Sequence, residues 1–245
     1  MKLTLGIHPR PKGGVLCQLH DKLFIAANSE NGETIYIYNG TDILGVYDMG
    51  MYMERPIYIY SFYVYNNKLF AGSYKGLIFE FNGSNWTLHV SMNYSKNLSG
   101  DVWGFTSYKG TLYAAVGNKI MIYDGTSWVT LHTFPEVSID NKYESFKDST
   151  YPKSMAVFGD SLFVGTYPRS IYEYDGKNWK LSYDENYQRS FDTLVVYKNK
   201  LYAGDSLTGR INAYNGINWS LEVILPERAD GVSSIVSVLN IVLFN

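Results

Sequence analysis

Short apolar segments alternate with polar turns along almost the whole chain, and the alternation repeats. VLCQL, SFYVY, GFTSY, SMAVF and TLVVY each run into a small polar turn, and each turn is followed by a leucine: Leu23, Leu69, Leu112, Leu162 and Leu201. The turns are His20-Asp21-Lys22, Asn66-Asn67-Lys68, Lys109-Gly110-Thr111, Gly159-Asp160-Ser161 and Lys198-Asn199-Lys200. Polar, glycine- or asparagine-rich residues between two apolar runs predict a hairpin. A third apolar segment then ends on Tyr38, Phe81, Tyr123, Tyr174 or Tyr214, and Asn-Gly or Asp-Gly always follows. That dipeptide tolerates positive φ at both central positions, so a type I′ turn is expected there. Three residues beyond the glycine stands Trp86, Trp128, Trp179 or Trp219, with Ile43 in the first copy. An aromatic at one fixed offset predicts a peg between packed sheets.

Each copy therefore reads as a four-stranded antiparallel meander. The spacing of the leucines, 46, 43, 50 and 39 residues, suits a repeat of one sheet per copy. Such sheets need cover on both faces, and radial packing supplies it, so the expected fold is an all-β propeller. SSIVSVLNIVLFN at the C-terminus matches the first two strands of a further copy, and Lys2 to Ile7 resembles a fourth strand. The expectation is one domain over residues 1–245 with six blades, the last incomplete and closed by the N-terminal strand. The blades fall at about 14–50, 57–92, 102–134, 153–184 and 191–225, with 231–245 plus 2–7 as the sixth. The aromatic, the Asp/Asn-Gly turn and the following Trp resemble the kelch-like and regulator-type β-propeller families over nearly the whole chain. That resemblance implies a fold and no particular substrate. The kelch double glycine is replaced by AAN, AGS, AAV, VGT and AGD at the corresponding strand ends.

Composition narrows the function classes. The net charge of −2 and the pI near 6.1 lack the concentrated positive field that duplex nucleic acid requires. One cysteine, Cys17, within an apolar strand, leaves no intrachain disulfide or Cys-rich metal site and reads as a packed thiol. MKLTLGIHPRP has too short an apolar run for a signal peptide, and no stretch is long enough to span a membrane, so a cytoplasmic location is the default expectation. No cofactor, nucleic-acid or membrane partner is expected. The sequons lie mostly on the repeated turn, where turn chemistry accounts for them.

The first-to-second and third-to-fourth turns are all short, so one rim is plain. The opposite rim, with second-to-third loops and blade-to-blade crossovers, is read as long and varied, and function concentrates on such loops. Basic residues recur before the innermost strand: Arg10 or Lys12, Arg55, Lys153, Arg189 and Arg228, joined by Asp101, Asp192 and Asp230. Guanidinium forks match carboxylate, phosphate or sulfated ligands; the competing reading is that these groups solvate loops or pair with their acidic neighbours. Tyr47, Met51, Tyr52, Met53, Tyr58 and Tyr60 crowd one crossover, and Tyr143, Phe146 and Tyr151 another. Trp103 alone among the tryptophans lies off the repeated position and is the leading candidate for a ligand-contacting aromatic. The candidate ligand set is Trp103, Asp101, Arg55, Lys153, Arg189, Asp192, Arg228 and Asp230.

Catalytic motifs are absent: no nucleophile elbow, P-loop, HExxH or zinc-type cluster appears, and His8, His20, His89 and His132 are scattered. Six-bladed sialidases offer a comparison, since an Asp-box turn precedes a Trp there. Tyr123-Asp124-Gly125-Thr126-Ser127-Trp128 is similar but one residue shorter between Asp and Gly. The sequence thus favours a non-catalytic propeller that binds a protein or glycan through the loop-bearing face around the channel mouth. The alternative is a sialidase-like hydrolase with its site over the central channel.

Overall fold

The computed structural model describes residues 15–29, 32–52, 55–91, 100–140, 145–168, 170–184, 190–205, 208–225, 235–238 and 241–244. Among them are five four-stranded antiparallel sheets, each a meander in chain order. Blade 1 holds Val15–Leu19, Lys22–Ser29, Gly32–Tyr38 and Ile43–Asp48; blade 2 holds Ile59–Tyr65, Lys68–Ser73, Leu77–Phe81 and Trp86–Ser91. Val102–Tyr108, Thr111–Val116, Lys119–Tyr123 and Trp128–Thr133 make blade 3. Tyr151–Phe158, Ser161–Tyr167, Ser170–Tyr174 and Trp179–Asp184 make blade 4, and Phe191–Tyr197, Lys200–Asp205, Arg210–Tyr214 and Trp219–Ile224 make blade 5. First strands of successive blades are neighbours, so they form the inner side of the fold.

Among the described residues the blade count is five, not the six expected. Beyond blade 5 a two-stranded hairpin, Ile235–Val238 with Ile241–Phe244, sets its first strand beside Phe191–Tyr197. The predicted closing strand, 2–7, lies outside the described residues. A second correction concerns the crossover rim. Second-to-third connections are only a few residues long, as at Val116 to Lys119 and Tyr167 to Ser170. The variety lies in the crossovers, two of which carry small hairpins of their own, Met51–Tyr52 with Arg55–Pro56 and Glu136–Asp140 with Ser145–Ser149.

Burial follows the strand order. Second and third strands are almost wholly buried while fourth strands are largely exposed. The repeated Trp residues are pegs. Trp86 meets Phe24 and Phe62, Trp128 meets Phe70 and Phe105, and Trp179 stacks on His132 with ring centroids 4.6 Å apart. Trp219 touches Tyr183 and donates its indole N–H to Ser182 Oγ at 3.1 Å. Each peg thus joins its blade to the preceding one, where aromatic pairs add to simple area burial.

The two turn classes exchange roles relative to expectation. In the first-to-second turns, Asn66-Asn67, Lys109-Gly110 and Lys198-Asn199 have positive φ at both positions, the type I′ geometry. The Asn-Gly and Asp-Gly turns work differently: only the glycine has positive φ, between 96° and 103°. The preceding Asn39, Asn82, Asp124, Asp175 or Asn215 accepts two backbone N–H bonds on its Oδ1, from the second and third residues that follow. Asn and Asp recur because an acceptor is needed, an Asx turn. The Ser127 and Thr126 N–H groups hold the Asp124 carboxyl below the ordinary range, and those of Asn178 and Lys177 do the same for Asp175.

The small residue in each second strand has its own cause. A Cβ on Gly165 would stand 2.6 Å from Phe191 O and 2.6 Å from Ser154 Oγ, and one on Gly72 would stand 2.4 Å from a Val102 methyl. Glycine there lets the next blade's inner strand approach.

Candidate functional site

Where the crossovers deliver the chain to the inner strands, the pairing slips by one residue at the same place in four blades. The slips fall between Ile59 and Ser61, Val102 and Gly104, Pro152 and Ser154, and Phe191 and Thr193. One residue in each is left out of the ladder: Tyr60, Trp103, Lys153 and Asp192, each nine positions before its repeat leucine. A bulge of this kind re-aims a side chain. It is anchored on both sides. Ile59, Val102 and Phe191, just before the bulge, are buried, while Ser61 and Ser154, just after, donate to Val102 O and Phe191 O of the next blade.

The four re-aimed side chains form one group. Tyr60 stacks on Trp103 with centroids 5.3 Å apart and an interplanar angle of 19°. Lys153 Nζ lies 3.3 Å from the centre of the same indole. Tyr60 arrives from the preceding blade and Lys153 from the following one, so the indole is held between them. Its two faces are covered and its N–H edge is buried, so it is not an open stacking platform. Asp101, 1% exposed, lies beside the group; its Oδ1 accepts the Lys75 N–H at 3.3 Å and its carbonyl accepts the Gly117 N–H at 3.0 Å. This carboxylate is thereby built into the scaffold.

Electrostatics in the group are finely opposed. Burial lowers the Lys153 ammonium from its ordinary value near 10.5 to about 8, while Asp192 and Asp101 act in the opposite direction. Desolvation prevails over the two carboxylates. Trp103 Nε1 and Asp192 Oδ1 are both buried without a hydrogen-bond partner, as is Thr150 Oγ1 just before the inner strand of blade 4. Leaving such an atom unpaired costs about 1–3 kcal/mol, and native proteins rarely tolerate it. A donor edge, an acceptor oxygen and a desolvated ammonium together suit a polar group that both accepts and donates.

Of the eight residues predicted from sequence, Trp103, Asp101, Lys153 and Asp192 come together here. Arg55 lies in the short strand Arg55–Pro56 of the first crossover, paired with Tyr52. Arg189, Arg228 and Asp230 lie outside the described residues. Tyr60, read from sequence only as part of an aromatic crossover, is a member of the group; its constant offset from the leucine is the signal that finds it. Cys17 is half-buried against the blade 1–2 core, and burial raises its thiol. His89 pairs with Glu80 at 3.0 Å, and burial lowers His132. Among the described residues no three His, Cys, Asp or Glu gather as a metal site, and no helix is long and apolar enough to cross a membrane.

No family model and no curated protein matches the chain. Solved structures do. The computationally designed Ika8 protein superimposes with a TM-score of 0.62 at 14% identity, covering 94% of this chain and 66% of that one. The extracellular domain of BT4673 from B. thetaiotaomicron gives 0.68 at 12% identity, covering 94% of this chain and 31% of that one. BBS1N, in complex with ARL6DN, gives 0.57 at 14% identity over 90% of this chain and 68% of that one. The chain thus spans less than two thirds of the first two. At these identities the likeness shows the fold alone: an all-β chain of the β-propeller type, built here from five four-stranded blades.

Proposed function

We propose that this chain is a non-catalytic binding module whose crossover-bearing face, around the mouth of a central channel, engages a protein or glycan partner. One observation carries the reading. Four blades use the same bulge to bring Tyr60, Trp103, Lys153 and Asp192 together, and two polar atoms of that group lack hydrogen-bond partners. Other buried polar atoms, such as the indole N–H groups of the pegs Trp86 and Trp128, also lack partners, but among the described residues only in this group do an unmet donor and an unmet acceptor stand beside a desolvated ammonium. With both indole faces covered, recognition rests on hydrogen bonds and charge, so a glycan would be held through hydroxyls, each able to donate and accept. A protein partner draws support from the fold, since BBS1N was solved in complex with ARL6DN. The sialidase-like alternative draws less, because Asp101 is committed to backbone groups of its own scaffold.

The test is a glycan array and a pull-down with wild type, Trp103→Phe and Asp192→Asn. Trp103→Phe keeps an aromatic ring in place but removes the N–H together with part of the indole, while Asp192→Asn removes the charge and keeps the shape. A ligand of this site loses about tenfold or more in affinity in both variants, consistent with a lost hydrogen bond to a charged or buried group. Undiminished binding in both removes the site from the account.

A further inference from the structure

The plain rim contains a gap that the repeat itself explains. At the end of the inner strand, four residues before the repeat leucine, stand Leu19, Tyr65, Tyr108, Phe158 and Tyr197. Two of these tyrosines cross a seam. Tyr65 donates its hydroxyl to Gly110 O of blade 3 at 2.5 Å, and Tyr108 donates to Asp160 O of blade 4 at 2.6 Å. The Tyr108 ring meets Tyr113 of its own blade and Tyr174 of the next, at 5.7 and 6.2 Å. Its neighbour Lys109 adds a second tie, donating to Asp175 O at 3.0 Å.

Blade 1 has Leu19 and His20 in these places. The residues corresponding to Tyr113 and Tyr174 are Phe24 and Phe81, and those corresponding to Asp160 and Asp175 are Asn67 and Asn82. All six line one cavity of about 450 Å³, with Lys22, Lys68 and Glu80 at its edge. The seam is tied farther out, where Tyr47 donates to Ser84 O at 2.7 Å. Its inner position has the walls of the tyrosine site without the tyrosine.

We propose that this cavity is a socket for a phenol side chain of a partner protein, a Tyr followed by a Lys. The ring packs against Phe24 and Phe81, which already meet edge to face at 5.2 Å, the hydroxyl donates to Asn67 O, and the ammonium reaches Asn82 O, as Tyr108 and Lys109 do two seams away. The volume lies within the usual range for ligand sites. The partner's own chain would supply what Leu19 and His20 lack.

The probe is N-acetyl-Tyr-Lys-amide, titrated into ¹⁵N-labelled protein beside N-acetyl-Ala-Lys-amide. Saturable amide shifts at Asn67, Lys68 and Asn82 are expected for the first peptide only. Leu19→Tyr fills the socket from within, so it should weaken the Tyr peptide by about tenfold or more and raise the melting temperature by about 2–4 °C. Leu19→Phe should also block binding, with a smaller thermal gain. Shifts that do not saturate, or that persist unchanged in Leu19→Tyr, overturn the proposal. A Leu19→Tyr protein no more stable than wild type overturns it too, because a phenol would then not fit.

Discussion

Lys153 makes a quantitative demand on stability. Its ammonium is buried over Trp103, and its folded-state pKa falls from about 10.5 to about 8. At neutral pH the folded protein must hold this group charged in poorly hydrated surroundings. That fall, at about 1.4 kcal/mol for each tenfold change in proton affinity, corresponds to a cost on the order of 3 kcal/mol. The sign follows from proton counting. Between pH 8 and 10.5 the unfolded chain binds the proton and the folded chain releases it, so stability contributed by this residue rises with pH across that window. Below 8 both states are protonated and the full cost stands. Lys153→Met keeps most of the volume and removes the charge. Urea denaturation of both proteins from pH 7 to 10.5 should therefore show the variant more stable at pH 7 by roughly 3 kcal/mol, with the gap closing as pH rises. Other titrating groups cancel in the difference. Two stability curves that run parallel from pH 7 to 10.5 would refute the claim that Lys153 is held desolvated.

Four further outcomes follow from the scaffold. Trp128→Ala removes the peg between blades 2 and 3, where it packs against Phe70, Phe105 and Tyr123, and should destabilise by about 3–5 kcal/mol in chemical denaturation. Gly165→Ala places a methyl against Phe191 O and Ser154 Oγ and should cost about 1–3 kcal/mol. Gly104→Ala, with nothing within 4 Å of the added carbon, should change stability by less than about 0.5 kcal/mol, as measured side by side. Asn215→Ala deletes the acceptor for the Ile217 and Asn218 N–H groups and should cost about 1 kcal/mol, seen as a lower denaturation midpoint with an unchanged slope.

Sheets, turns and pegs were legible in the sequence because every blade needs them in the same place. Leu69, Leu112 and Leu201, each fully buried, could be aligned by eye. The Asn-Gly turn was located correctly but explained wrongly, since a dipeptide pattern cannot distinguish a side-chain acceptor at Asn82 from a backbone in positive φ. The bulge was harder to see. Its residues are Tyr60, Trp103, Lys153 and Asp192, which share no chemistry, only an offset. Four of the eight candidate residues, Trp103, Asp101, Lys153 and Asp192, lie in or beside this group, because Trp103 breaks the tryptophan pattern and the others are charges just before an inner strand. What the sequence did not convey was that Tyr60 and Lys153 would cover both faces of Trp103, since that depends on which blades flank it. The seam cavity has no signal of its own in the sequence, because Leu19 is an ordinary apolar residue until set beside Tyr65 and Tyr108.

The five tryptophans give the most direct test of the central claim, that partners engage the bulge residues at the crossover end. Trp86, Trp128, Trp179 and Trp219 are pegs, and Trp103 alone belongs to the candidate site. In a ¹⁵N spectrum of the indole N–H groups, a partner captured by array or pull-down should shift the Trp103 signal and leave the four pegs in place. A partner that binds tightly while the Trp103 indole stays unmoved would contradict the account.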